Sequence, residues 1–179
     1  MIIGFYNSQI MGVSELKKEL KSFEKDKLIE LFLDLYKKNK AVKEYFDYFI
    51  NPDEQALFNR FRDKIYESFY PKRGVNYNLK VGKKAIVEFK KFDPSPILIA
   101  ELTLFYVETG VEFTIDFGDL GESFYSSMES TFLTALKIMH KERLLDNFAE
   151  RVENLISRLD ENLGWGFYET MVVILARYY

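Results

Sequence analysis

Residues 144–159 read LLDNFAERVENLISRL. At about 100° per residue, Leu144, Leu145, Phe148, Val152, Leu155, Ile156 and Leu159 fall on one side of a cylinder. Glu142, Asp146, Glu150, Arg151 and Glu153 fall on the other. The stretch predicts an amphipathic helix near 141–160 with one face on a core.

The same period recurs upstream. Leu28, Leu31, Phe32, Leu35 and Tyr36 stand at helical spacing, as do Val42, Tyr45, Phe46 and Phe49. Leu57, Phe61, Ile65 and Phe69 form a stripe at fourfold spacing. Asn51-Pro52-Asp53-Glu54 reads as cap, first-turn proline and first-turn acids, a helix start. Ser95-Pro96 repeats the cap-plus-proline logic, and 70–74 (YPKRG) reads as a loop. Gly164-Trp165-Gly166 punctuates the approach to a last apolar segment, 167–177. These signals predict one all-α domain over residues 13–179, with about eight helices in stacked antiparallel pairs. Residues 1–12 are expected to be a weakly ordered N-terminal extension, with Met11 as an alternative start.

Residues 111–117 resist that reading. Val111-Glu112-Phe113-Thr114-Ile115-Asp116-Phe117 alternates apolar and polar, the period of a strand, between Gly110 and Gly118. No second run alternates as cleanly, and a lone strand needs a partner. An extended connection near 111–118 packed over the core is favoured, with a short strand or a continued helix as alternatives.

Composition narrows the function classes. Hydrophobic residues make up 47% and charged residues 30% of 179, a balance that argues against disorder. Aromatics reach 17%, with 17 Phe and 12 Tyr, so a Phe-rich core rimmed by Tyr is expected before an exposed aromatic surface. There is no Cys, which excludes disulfides, thiolate catalysis, Cys-ligated zinc and iron–sulfur clusters. The longest apolar runs, such as residues 171–176, are far below a membrane span, and the start lacks a leader pattern. A cytoplasmic protein with no membrane partner and no cofactor is expected.

Charge is sorted along the chain. Residues 72–91 hold seven Lys and Arg against Glu88 alone, 7 − 1 = +6. Residues 92–136 hold none, with eight acids: Asp93, Glu101, Glu108, Glu112, Asp116, Asp119, Glu122 and Glu129. In a helix over 79–92, Lys80, Lys83, Lys84, Lys90 and Lys91 share one side, with Val81, Ala85, Ile86, Phe89 and Phe92 opposite. Together with Lys72, Arg73 and Tyr77, that face offers a candidate site for a nucleic acid or an anionic ligand. A solvated lysine face is the plainer reading, and a net charge of −3 argues in the same direction.

Asp116, Asp119 and Glu122, three apart around two glycines, are a candidate divalent-metal set, although the spacing does not match the twelve-residue calcium loop. Helix capping near Gly121 and pairing with the lysine helix are the structural alternatives. Asp116-Phe117-Gly118 spells a kinase tripeptide without the other kinase motifs. His140 is the only histidine, so two-histidine metal sites are excluded and a structural or surface role is expected. Trp165 is expected to pack, since apolar Leu163 and Phe167 flank its glycines.

Several stretches together carry a resemblance. Leu28-Ile29-Glu30-Leu31, Val42-Lys43-Glu44-Tyr45-Phe46, Phe117-Gly118-Asp119 with Phe124-Tyr125, and Gly164-Trp165-Gly166-Phe167 resemble a small bacterial family of all-helical proteins with no assigned activity. The resemblance covers residues from about 14 to the end and brings no catalytic residue across. It implies that the Gly118-Asp119 turn and the Gly164, Trp165 and Gly166 turn belong to one recurrent design.

Three functions follow as expectations. The first is a non-enzymatic interaction or scaffold protein, its protein partner or second copy held by the charge-segregated middle. The second is a binder of nucleic acid or anionic ligand through residues 72–91. The third is a divalent-metal-dependent hydrolase using residues 116–122.

Overall fold

The computed structural model describes residues 11–73, 76–159 and 164–179. The expected weak order of the N-terminal extension falls on residues outside these, apart from Met11 and Gly12. Among the described residues there are nine α-helices and no strand. The chain divides into two compact units, Met1–Pro52 and Asp53–Tyr179.

The first unit holds α1 (Val13–Leu20), α2 (Lys25–Lys38) and α3 (Lys40–Ile50). Asn39 alone separates α2 from α3. It closes one helix in extended geometry, and its carboxamide oxygen accepts the N–H groups of Ala41 and Val42 at 3.0 and 3.3 Å to start the next. The rings of Phe32 and Phe46 meet edge to face at 4.2 Å between α2 and α3. Lys43 donates to Asp47 at 2.9 Å, and the Tyr36 hydroxyl donates to the same carboxylate.

The second unit holds α4 (Glu54–Phe69), α5 (Leu79–Lys90), α6 (Pro96–Phe117), α7 (Glu122–Lys141), α8 (Leu145–Ser157) and α9 (Phe167–Leu175). Its centre is α6, which packs against α4, α5 and α7, while α7 also receives α8 and α9. The fourfold stripe of α4 is fully used: Leu57, Phe61, Ile65 and Phe69 are all buried. Each such side chain contributes roughly 1.5–3 kcal/mol relative to exposure. Phe148, Val152, Leu155 and Leu159 are buried as the opening stretch predicts. Leu144 caps α8 from outside, after a break at Arg143 (φ 59°).

Two helix starts differ from the sequence reading in detail. Asp53, not Asn51, caps α4, accepting the Ala56 N–H at 2.8 Å. Ser95 does precede α6 with Pro96 in the first turn, but its hydroxyl makes no cap. Instead the Ser95 N–H and Oγ–H donate to the two oxygens of Glu54 at 2.7 and 3.0 Å, tying α6 to the first turn of α4.

The extended connection favoured over residues 111–118 is corrected. Residues 111–117 continue α6 as helix. Gly110 does not break it, because it serves contact rather than bending: a Cβ there would collide with Met128 Sδ on α7. Gly82 plays the same part in α5, where a Cβ would stand 2.6 Å from Ser68 Oγ and 2.7 Å from Tyr106 Cε2. Three threonines buried in α6 return their hydroxyls to its own carbonyls, Thr103 to Ile99, Thr109 to Phe105 and Thr114 to Val111, each at 2.7 Å. Polar atoms can therefore sit inside without a desolvation penalty.

Candidate interaction surfaces

The basic segment is placed on the surface, but not all of it is free. Lys80, Lys84 and Lys91 on or beside α5 are exposed, as are Lys72 and Arg73 before it. Lys84 stands 3.7 Å from Glu88 one turn on, and Lys64 of α4 reaches the other oxygen of Glu88 at 3.6 Å. Lys72 pairs with Glu67 at 2.5 Å, and that hydrogen bond raises its pKa. Lys83 is half-buried and donates to Ser130 on α7 at 3.2 Å, and burial pulls its pKa down. Tyr77 is committed to packing, its ring edge-on to Phe113 at 5.3 Å and Phe124 at 5.4 Å. Val81, assigned to the apolar side of the helix, is half exposed.

The acids that follow do not cover this face. Among the described residues no ion pair joins the bases of 72–91 to the acids of 92–136. Glu101 and Glu108, aligned by their seven-residue spacing, both turn to Arg151 on α8. Arg151 Nη1 lies 3.5 Å from Glu101, while Nε and Nη2 bind the two oxygens of Glu108 at 3.1 and 2.7 Å. A polar groove of about 430 Å³ runs beside this triad, with Gln55, Asn59 and Arg62 from α4 on its other wall. The Arg62 guanidinium rests on the Phe105 ring at 4.9 Å. Sequence reasoning named both glutamates and placed Arg151 only on the polar side of its helix, without Arg62 and without the link between them, since no local signal joins positions 43 apart.

The three candidate metal ligands are not brought together. Asp116, in the last turn of α6, accepts the Tyr70 hydroxyl at 2.6 Å. Asp119 Oδ1 accepts the Tyr125 hydroxyl at 2.6 Å and the Gly164 N–H at 3.2 Å. Glu122 lies exposed in the first turn of α7. Among the described residues no group of three or more His, Asp or Glu is arranged to hold a metal ion.

Asp119 thereby links the Gly118 turn to the Gly164 turn. Gly118 (φ 82°) and Gly166 (φ 63°) take up left-handed backbone, where glycine is unstrained. Trp165 (φ 67°) does so without that freedom, and its side chain is not packed as expected but 61% exposed. Phe167, two residues on, supplies the burial instead, its ring 4.7 Å from that of Tyr125. His140 is exposed in the last turn of α7, edge-on to Tyr178 at 5.7 Å.

A run of exposed apolar side chains lies in the first unit, which sequence reasoning treated only as helix. No residue of α1, α2 or α3 is buried. Yet Leu16, Ile29, Leu31, Leu33, Leu35, Tyr45, Phe49 and Ile50 are exposed apolar or aromatic side chains of these helices. An apolar groove of about 470 Å³ runs along α2, lined by Leu20, Leu28, Ile29, Leu31, Phe32 and Leu35 among others.

These features define an all-helical protein, with nine helices and no strand among the described residues. The chain belongs to a family of unknown function, DUF6155, whose model matches residues 11–166. That span begins slightly earlier and stops earlier than the resemblance in the sequence implied. No curated protein and no solved structure matches the chain. No described helix is long and apolar enough to cross a membrane.

Proposed function

We propose that this chain is a non-enzymatic interaction or scaffold protein of the bacterial cytoplasm, and that α1–α3 carry the contact. One observation carries the reading: three amphipathic helices present bulky apolar side chains and bury none of them. Contiguous exposed apolar patches on a soluble chain mark places where something docks. The apolar groove along α2 has the form of a helix-binding groove, where a partner's apolar stripe is taken up. The charge pattern along residues 72–136 supports a lesser part for the middle region, because Glu101, Glu108, Asp116 and Asp119 are spent on Arg151, Tyr70 and Tyr125.

The test is affinity capture from extract of the host cell, with the tagged full chain and its Ile29→Lys variant side by side. The native chain is expected to retain a defined protein, untagged copies of itself included, and the variant to lose it. Identical retention by both, or none by either, overturns the reading.

A second reading rests on the openness of Lys80, Lys84 and Lys91, which leaves an anion-binding face on α5. It requires binding to nucleic acid that weakens steeply with salt and disappears in Lys80→Glu with Lys84→Glu. A gel shift that shows no complex at low salt removes it.

A further inference from the structure

We propose that the polar groove formed by α4, α6 and α8 binds a free α-amino acid with an apolar side chain.

The carboxylate end is fixed by an imbalance within the groove. Arg62, Arg151, Glu101 and Glu108 all line it, two of each sign, yet one arginine takes both acids. Arg151 binds Glu108 through two bonds and lies 3.5 Å from Glu101. Arg62, across the groove on α4, enters no ion pair among the described residues. Its guanidinium rests on the Phe105 ring at 4.9 Å. A guanidinium held on a ring keeps free the planar fork of N–H donors that fits a carboxylate edge to edge. The ligand's acid is a monoanion, because a phosphate dianion or a nucleic-acid backbone would meet the charges of Glu101 and Glu108 in the same groove.

The ammonium end is fixed by acceptors left over. Glu101 makes the long contact of the triad, and a carboxylate has about four lone-pair sites, so most of its acceptor capacity is unused. Gln55 Nε2 donates to Asn59 Oδ1 at 3.1 Å, which leaves the Gln55 carbonyl oxygen as a further acceptor on the α4 wall. A simple carboxylic acid would satisfy Arg62 and leave these acceptors unmatched.

The side chain is placed by a second hollow. A space of about 220 Å³ adjoins the groove, sharing Phe105, Glu108 and Arg151 with it, and is the more apolar of the two. Phe105, Thr109 and Leu155 line it, while its remaining charged residues, Glu112 and Arg158, are exposed and can turn to water. The polar groove itself, at about 430 Å³, lies within the size range of small-molecule sites.

The experiment is NMR titration of the isotope-labelled full chain with L-leucine, reading the Arg62 and Arg151 side-chain N–H groups and the α6 amides. Leucine at millimolar concentration is expected to shift the Arg62 Nε–H and the Phe105 amide in a saturable way. Arg62→Gln is expected to weaken binding at least about tenfold. Arg62 is exposed, so the variant is expected to keep its circular-dichroism helicity. Arg62→Lys keeps the charge without the fork, serves as a second variant and is expected to fall between the two. Glycine lacks the side chain, leucine amide the carboxylate and isocaproate the ammonium, and each is expected to bind more weakly than leucine. No saturable shift with leucine, phenylalanine or methionine overturns the inference, as does binding that Arg62→Gln leaves unchanged. Tighter binding of inorganic phosphate, or of leucyl-leucine with its two charges set apart by a peptide bond, overturns the assignment to a free amino acid. None of these readouts involves α1–α3, so this inference and the interaction reading stand or fall separately.

Discussion

The Arg151 guanidinium lies edge to edge with the Glu108 carboxylate, Nε to Oε1 at 3.1 Å and Nη2 to Oε2 at 2.7 Å. It is the described ion pair that ties α8 to the central helix, and Glu101 shares the same cation at 3.5 Å. Both side chains of the bidentate pair are partly exposed, so it has neither the strength of a dry pair nor the weakness of a surface one. Arg151→Met is expected to cost about 1–3 kcal/mol in urea unfolding, through two lost charge-assisted bonds and two carboxylates left facing each other. Glu101→Gln is expected to cost about 0–1 kcal/mol. In a double-mutant cycle with Glu108→Gln, the coupling should be at least about 0.5 kcal/mol, and strict additivity would remove the pair as a stabilising element.

Gly110 offers a prediction whose sign separates two explanations. A glycine inside a helix ordinarily weakens it, and alanine would restore about 0.5–1 kcal/mol. Here the glycine lets α6 approach Met128 of α7. Gly110→Ala is therefore expected to destabilise, by about 1–3 kcal/mol, because Met128 must leave its place in a close-packed interior. Combining it with Met128→Ala should cost less than the sum of the two, since the added methyl fills part of the space the sulfur vacates. Stabilisation by Gly110→Ala alone would show that the contact is loose.

The same helix explains what the sequence concealed. Leu57, Phe61, Ile65 and Phe69 were legible because α4 has one wet side, so its apolar residues recur at fourfold spacing. Along the buried stretch of α6 that side is narrow, only Glu101, Phe105, Glu108 and Glu112 at helical spacing. Leu102, Thr103, Leu104, Tyr106, Val107, Thr109, Val111, Phe113 and Thr114 are all buried, and a helix covered over most of its surface writes only a faint stripe into its sequence. At its end Val111, Phe113 and Thr114 are buried while Ile115 and Phe117 are exposed, so the alternation in the sequence does not follow burial. The glycine before it then looked like punctuation, because contact with Met128 18 positions away leaves no local trace. The exposed apolar face of the first unit was hidden for a related reason. The stripes of α2 and α3 announce helices, but a stripe does not say whether its cover lies in the same chain. Of the candidate site residues, Lys80, Lys84 and Lys91 are exposed and Lys83 is half-buried against Ser130, whereas Tyr77 and the acids at 116 and 119 are taken up by tyrosine and phenylalanine contacts.

The bond from Tyr125 to Asp119 gives stability a dependence on pH at both ends of the scale. The Tyr125 hydroxyl, with the N–H groups of Gly164 and Leu120, holds the Asp119 carboxyl below its ordinary pKa. A carboxyl depressed in the folded state contributes its full stability above the unfolded value, about 3.9, and loses it as pH falls through the folded value. Burial, reinforced by the bond to Asp119, pushes Tyr125 up to about 12. A phenol raised in this way contributes fully below the unfolded value, about 10, and its contribution fades as pH climbs through the folded one. Asp119→Asn is thus expected to be less stable than the native chain at neutral pH, with the difference closing in acid. Tyr125→Phe is expected to be less stable at neutral pH too, with its difference closing above pH of about 10. Urea midpoints for the three proteins across the pH range measure both trends. If either difference stays constant from acid to alkali, the hydrogen bond between the two turns contributes nothing through its charge, and the turns are held by the packing of Phe167 against Tyr125 alone.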